Sequence, residues 1–307
     1  MKTDGKQLEA LVAFVEKTLL PQGFDVKTNH RVFNDEGVQI AEFDIEVRGK
    51  VGSTDIAWLI ECRDRPANGA APGSWIEQLV GRRSRFGFNK VTAVSTTGFA
   101  AGATEFARSE GIEIREVKAL TPDEFADWLQ MRDFHFIEKK SKLDHASILI
   151  APNEDEQKRE ELAKVMSSVN GDALILKSLR TGEYSSPTMA FLGAVSKIGH
   201  LFDDIQPNRP GKKIRLHVNY SNENDRFVVE TKLGAIHVQA IIFIGELSVC
   251  HRLVPLTITA EYRKAENGRI ISQVAGFAPQ EIHGSEFSLE MHKLEETGET
   301  HVVLRKV

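Results

Sequence analysis

A chain of 307 residues is long enough for two ordinary domains, and its 41% hydrophobic and 27% charged content describes a globular protein. No apolar run approaches the ~20 residues that span a bilayer, and the N-terminus lacks a charged-then-apolar export pattern. The net charge of −5 does not advertise a nucleic-acid binder, so such a role would rest on local charge. The two cysteines, Cys62 and Cys250, exclude a disulfide framework and suit a reducing cytoplasm.

In chain order, Leu8, Leu11, Val12, Val15 and Leu19 follow helical spacing, with Asp4 as a cap and Pro21 as the stop. Residues 24–32 read as a short edge strand, and Asn34-Asp35-Glu36-Gly37 as a turn. Next, Phe43, Ile45 and Val47 alternate with Glu42, Asp44 and Glu46, which predicts a strand with its carboxylates on one face. Gly49 and Gly52 supply a hairpin connection. Residues 56–62 are almost wholly apolar, as in a central strand buried on both faces. That strand ends in Glu61-Cys62-Arg63, with Glu61 and Arg63 projecting to one side.

A hairpin here sets Asp44 beside Glu61. Two neighbouring carboxylates form a hard-oxygen site for Mg²⁺ or Mn²⁺. Such an ion polarises a phosphodiester and acidifies a bound water, while a cation such as Arg63 stabilises developing charge. The plain alternative is an acidic strand edge paired with Arg63.

The small-residue stretch 66–73 reads as a loop flanking this strand end. Ser74 and Glu77 form a capping box for a helix that carries Gln78 and ends at Gly87. Arg65, Arg82, Arg83 and Arg85 give this region a local basic excess suited to a phosphodiester substrate. A strand at 90–96, a helix at 101–109 and a strand at 112–117 complete a strand–helix–strand unit with parallel pairing. Thr121 and Pro122 begin another helix.

The order of these elements resembles the PD-(D/E)xK nucleases, and more narrowly the Mrr-like restriction endonuclease catalytic domain. The residues that carry the resemblance are Glu9 in QLEALVAFVE, Asp44 in EFDI, Glu61-Cys62-Arg63 in LIECRDR, Gln78 in WIEQLVGRR, and the stretch VSTTGFAAGATEFARSEGIEI from Val94. Asp44 and Glu61 stand seventeen positions apart, as the pattern requires, and the resemblance covers about residues 5–118. It implies a mixed sheet flanked by helices, a metal held by Asp44 and Glu61, assistance from Glu9 and Gln78, and DNA, or alternatively RNA, as substrate. One departure is Arg63, where the family usually has Lys. Arginine stays charged and cannot act as a general base. The resemblance therefore carries two readings, a metal-dependent endonuclease of restriction or defence type and a catalytically weak nucleic-acid-binding module. A homodimer is compatible with either.

Composition turns charged across 133–144, read here as a linker between an endonuclease-like domain at 1–132 and a β-rich α+β domain at 145–307. Within the second, 153–169 and 187–201 read as helices. Residues 173–179, 213–220, 227–231, 235–247, 252–263, 269–277 and 301–305 read as strands, with hairpin turns at Asn267-Gly268 and Thr297-Gly298. No motif assigns this half a ligand or partner.

Overall fold

The structure, a computed structural model, describes residues 5–125, 128–220, 222, 226–282 and 284–306. The predicted cap Asp4 lies outside them. The described chain divides into two units, one made of residues 1–134 and 254–307 and the other of 135–253.

The elements of the first unit begin with α1 (Gly5–Leu19), β1 (Asp25–Phe33), β2 (Gln39–Val51), β3 (Thr54–Arg63), α2 (Gly73–Phe86), β4 (Lys90–Ser95), α3 (Ala101–Ser109), β5 (Glu113–Ala119) and α4 (Pro122–Phe125). There follow β6 (Asp133–Ile150), α5 (Glu156–Ser168), β7 (Leu176–Ser178), β8 (Tyr184–Ser185), α6 (Pro187–Ser196), β9 (Lys212–Asn219), β10 (Phe227–Thr231) and β11 (Gly234–Lys264). The chain ends with β12 (Ile270–Phe277), β13 (Gln280–Ile282), β14 (Ser285–Leu294) and β15 (Thr300–Lys306).

The first unit is the mixed α/β layer that the sequence predicts. Strands β1, β2 and β3 form an antiparallel meander, and β3, β4 and β5 pair in parallel. Helices α2 and α3 cover one face through Ile76, Leu79, Ala103 and Ala107, packed on Leu59, Val91 and Ile114. Helix α1 covers the other through Leu8, Val12 and Val15, packed on Ile45, Ile60 and Val94. A Gly at the α2 C-cap, Gly87, takes the left-handed conformation (φ 68°) that ends the helix. At the start of α2 the expectation changes: the cap position is Pro72, with no side-chain cap, so Ser74 and Glu77 lie inside the helix. At α4 a capping box does form, between Thr121 and Glu124.

The C-terminal strands extend this same sheet. Residues 260–264 of β11 pair with β5, and β12, β14 and β15 follow in antiparallel order, with β13 beside β14. Tyr262, Ala260 and Leu294 join the α1 cluster, and Phe14 packs its ring on His292 and His301. Helix α1 is thus apolar on more than one side because two layers cover it.

Three sequence expectations need correction here. Residues 133–144 are not a linker but the start of β6. Residues 254–307, expected in the second domain, belong to the first unit, where β11 pairs with β5 and Ala260, Tyr262 and Leu294 join the apolar cluster of α1. The strands expected at 235–247 and 252–263 are one continuous strand, β11. The hairpin turns hold, with Gly268 and Gly298 at φ 71° and 70°.

The second unit packs α5 and α6 on strands. Asp155 caps α5 and Ser186 caps α6. Leu162, Phe191 and Val195 meet Val229, Ile236, Ile241 and Phe243 in its core. No helix among the described residues is long and apolar enough to cross a membrane.

Candidate active site at the parting of two strands

The β2–β3 ladder runs from Val51 opposite Thr54 to Ile45 opposite Ile60. One step further would set Asp44 against Glu61, and there the strands part. Across β2, the pairing with β1 passes over Asp44 and Asn29, and Asn29 has a positive φ of 52°. Strict alternation would put Phe43 and Ile45 on one face. Instead Phe43 packs with the α2 and α3 side chains and Ile45 with α1. The strand turns over at Asp44. The backbone amide of Cys62, freed from the ladder, donates to Asp44 Oδ2 at 2.7 Å. The expectation that Glu42, Asp44 and Glu46 share a face fails for the same reason; Glu46 is buried against His30 and Arg48.

Glu61 is 6% exposed and points toward α2. Its Oε1 accepts from Arg82 Nη1 at 2.5 Å, and the same nitrogen donates to the Glu42 carbonyl at 3.1 Å. Burial and then the nearby Asp44 push the Glu61 carboxyl up to about 8, against the pull of Arg82. Burial also raises Asp44, in spite of its bond from Cys62. Glu9, on α1, is raised by burial and by Asp44, and its Oε2 is buried without a partner. The three acids Glu9, Asp44 and Glu61 therefore feel one another, and the structure brings together what the sequence left separate.

The face of α2 that looks on this place carries Trp75, Gln78 and Arg82, spaced three and four residues apart. The Arg63 guanidinium stands 6.0 Å from the Trp75 ring centre, and its Nε is buried without a partner. Gln78 is exposed one turn before Arg82. Beyond Arg63, Asp64 accepts from Thr96 at 2.7 Å.

The basic residues are distributed differently from the expectation of one phosphate-contacting set. Arg82 belongs to the acid cluster. Arg83 is occupied by Glu110, donating to its carbonyl at 2.6 Å and pairing with its carboxylate at 3.5 Å. Arg65 and Arg85 remain exposed, Arg85 over the Phe86 ring. Sequence reasoning missed the Arg82–Glu61 pair. Helical spacing sets Arg82 one turn after Gln78 on the same face, but does not say which acid it meets.

Among the described residues no group of three His, Cys, Asp or Glu side chains stands in metal-binding geometry. The chemistry of the donor set nonetheless fits a hard divalent cation. Asp44 and Glu61 offer carboxyl oxygens in a buried, crowded pair whose charged forms are disfavoured without a cation and only partly relieved by Arg82. The sign of the coupling follows. A carboxyl raised from about 4.5 to about 8 binds an extra proton in the folded state across that window, so this contribution to stability is present below pH 4.5 and lost as pH rises through 8. Thermal unfolding should therefore show metal-free protein losing stability between pH 5 and 8, and a divalent cation should stabilise more at pH 8 than at pH 6.

A mixed sheet between helical layers, with Asp44 and Glu61 at a strand divergence and Arg63 two positions on, is a restriction-endonuclease-like fold of the PD-(D/E)xK kind. Residues 2–129 match the Mrr_cat family, described as restriction endonuclease, and carry a Mrr-like catalytic domain. No curated protein matches the chain. A crystal structure titled as a protein of unknown function, AF1548, aligns at TM-score 0.29 and 20% identity, covering 36% of this chain. The chain spans 57% of that protein's length.

Proposed function

We propose that the first unit is a metal-dependent endonuclease that hydrolyses phosphodiester bonds of DNA, in a restriction or defence role. The supporting observation is the electrostatic coupling of Asp44 to Glu61 where the β2–β3 pairing ends, inside a restriction-endonuclease-like domain. Asp44 and Glu61 would hold Mg²⁺ or Mn²⁺. When bound, that ion polarises the phosphodiester and acidifies an attacking water. Glu61 gives up its proton to bind it. Arg63 offers a fixed planar cation to a phosphate oxygen, with the Trp75 ring limiting where the guanidinium can go. Glu9 and Gln78 flank the acids and orient water or phosphate by hydrogen bonds. Arg65 and Arg85 meet the backbone further out. Cutting both strands of a duplex favours two copies acting together, hence a homodimer. Two free thiols suit the cytoplasm.

A second reading is a binding or sensing module that keeps the fold without turnover. It is favoured by Arg63 at the usual Lys position and by Arg82 seated on Glu61. A cleavage assay over plasmid, modified DNA and RNA, with and without Mg²⁺ or Mn²⁺, separates the two when repeated with Arg63→Lys. Cutting by the parent that is lost in the variant places Arg63 in a working site. Cutting gained from an inert parent supports the second reading. Absence of cutting by both, on every substrate and metal, would sink the nuclease.

A further inference from the structure

The cations that the sequence marks as nucleic-acid contacts are partly spent on Glu61 and Glu110, which raises the question of where a polyanion would lie. A cleft of about 340 Å³ opens between α1, β1 and β15, and Glu9 and Asn29 stand at the catalytic end of it. Along it run Lys6 and Lys17 from α1 and Arg305 from β15. Both lysines are exposed.

We infer that this cleft is the track for one sugar–phosphate strand of the substrate as it leaves the catalytic acids. The inference rests on the nuclease reading and adds to it a surface built partly from β15, outside the family-matched residues 2–129. Three observations carry it. Lys6 sits in the first turn of α1, where a cation opposes the helix dipole, so helix stability does not account for it. Ala10 and Ala13 lie between the two lysines, and their small side chains leave the floor open over a span of about 16 Å, a few nucleotides long. Arg305 gives one guanidinium nitrogen to Glu290 at 3.1 Å, and its side chain stays partly exposed along the cleft. Three cations thus line a groove whose acidic end is the place of reaction.

The test is fluorescence anisotropy of full-length protein on labelled DNA in EDTA, with salt varied from about 50 to 200 mM. Lys17→Gln and Arg305→Gln should each weaken binding several-fold and flatten the log Kd against log salt slope by about 0.7–0.9. Lys50→Gln, an exposed lysine paired with Asp55 on the β2–β3 hairpin, should change neither. Circular dichroism checks that the variants fold, and Lys17→Gln carries the test if Arg305→Gln does not. An unchanged slope in Lys17→Gln, or no DNA binding by the parent, overturns the track. Sensitivity to these variants on phosphatidylserine vesicles but not on DNA overturns it equally. An unchanged slope with Asp44-dependent cutting leaves the nuclease standing without the track, whereas a flattened slope without such cutting leaves the track without the nuclease.

Discussion

Asp44→Ala is expected to lower metal-dependent cleavage by on the order of 10³-fold, or below detection, while leaving the protein folded. The side chain has little structural work. Its hydrogen bond from the Cys62 amide contributes roughly 1 kcal/mol, and burial already disfavours its charged form. Alanine removes both effects, and it removes a negative charge that raises Glu61. The melting temperature should stay level or rise as activity disappears, the trade expected where function requires crowded like charges. Plasmid nicking beside a thermal scan reads both quantities. A sharp fall in stability, or undiminished nicking, would remove Asp44 from its role.

Arg115→Ala should be the most damaging substitution for the fold, at about 3–5 kcal/mol by urea unfolding. Its guanidinium is buried, bonded to Glu16, to Glu113 at 3.0 Å and to the Tyr262 hydroxyl at 2.8 Å. It lies 5.5 Å from the Trp58 and Tyr262 ring centres. Truncation leaves Glu16 charged, buried and unpaired, against a total stability of only about 5–15 kcal/mol for a typical domain. Replacing both ends by apolar residues, Arg115→Met with Glu16→Leu, should recover most of the loss, since the cost comes from the abandoned partner. A single variant that loses under about 1 kcal/mol would show the network to be idle.

Much of the first unit was legible because its physics is local. Periodicity in α1, the apolar run of β3 and the Gly signals at 87, 268 and 298 act within a few residues, and the structure follows them. Asp44, Glu61 and Arg63 could be found because a hairpin register brings them together. The turning over of β2 at Asp44 was not legible, since it depends on where β3 departs and on the left-handed Asn29. Nor was the partner of Glu61, because Arg82 arrives from another element and its charge read as surface. Glu16, which the sequence leaves as one more charge on α1, is the partner of Arg115 across ninety-nine residues of chain. The strand β14 was overlooked although Phe287, Leu289 and Met291 alternate with polar residues. The long charged stretch at 133–144 looked like a linker because a strand with alternating exposed lysines has a linker's composition.

The helix that carries Glu9 is clasped by strands that follow the second unit in the chain. The ribosome adds residues 135–253 before β12, β14 and β15, so the cluster of acids acquires its third member in its final setting only after that second unit has been made. A chain stopped at the family boundary near residue 129 would lose Ala260, Tyr262 and Leu294 from the cluster around α1 and hold Glu9 on a helix covered by one layer instead of two. The setting of Glu9 is therefore coupled to strands that lie far along the chain from the residues matched by the family.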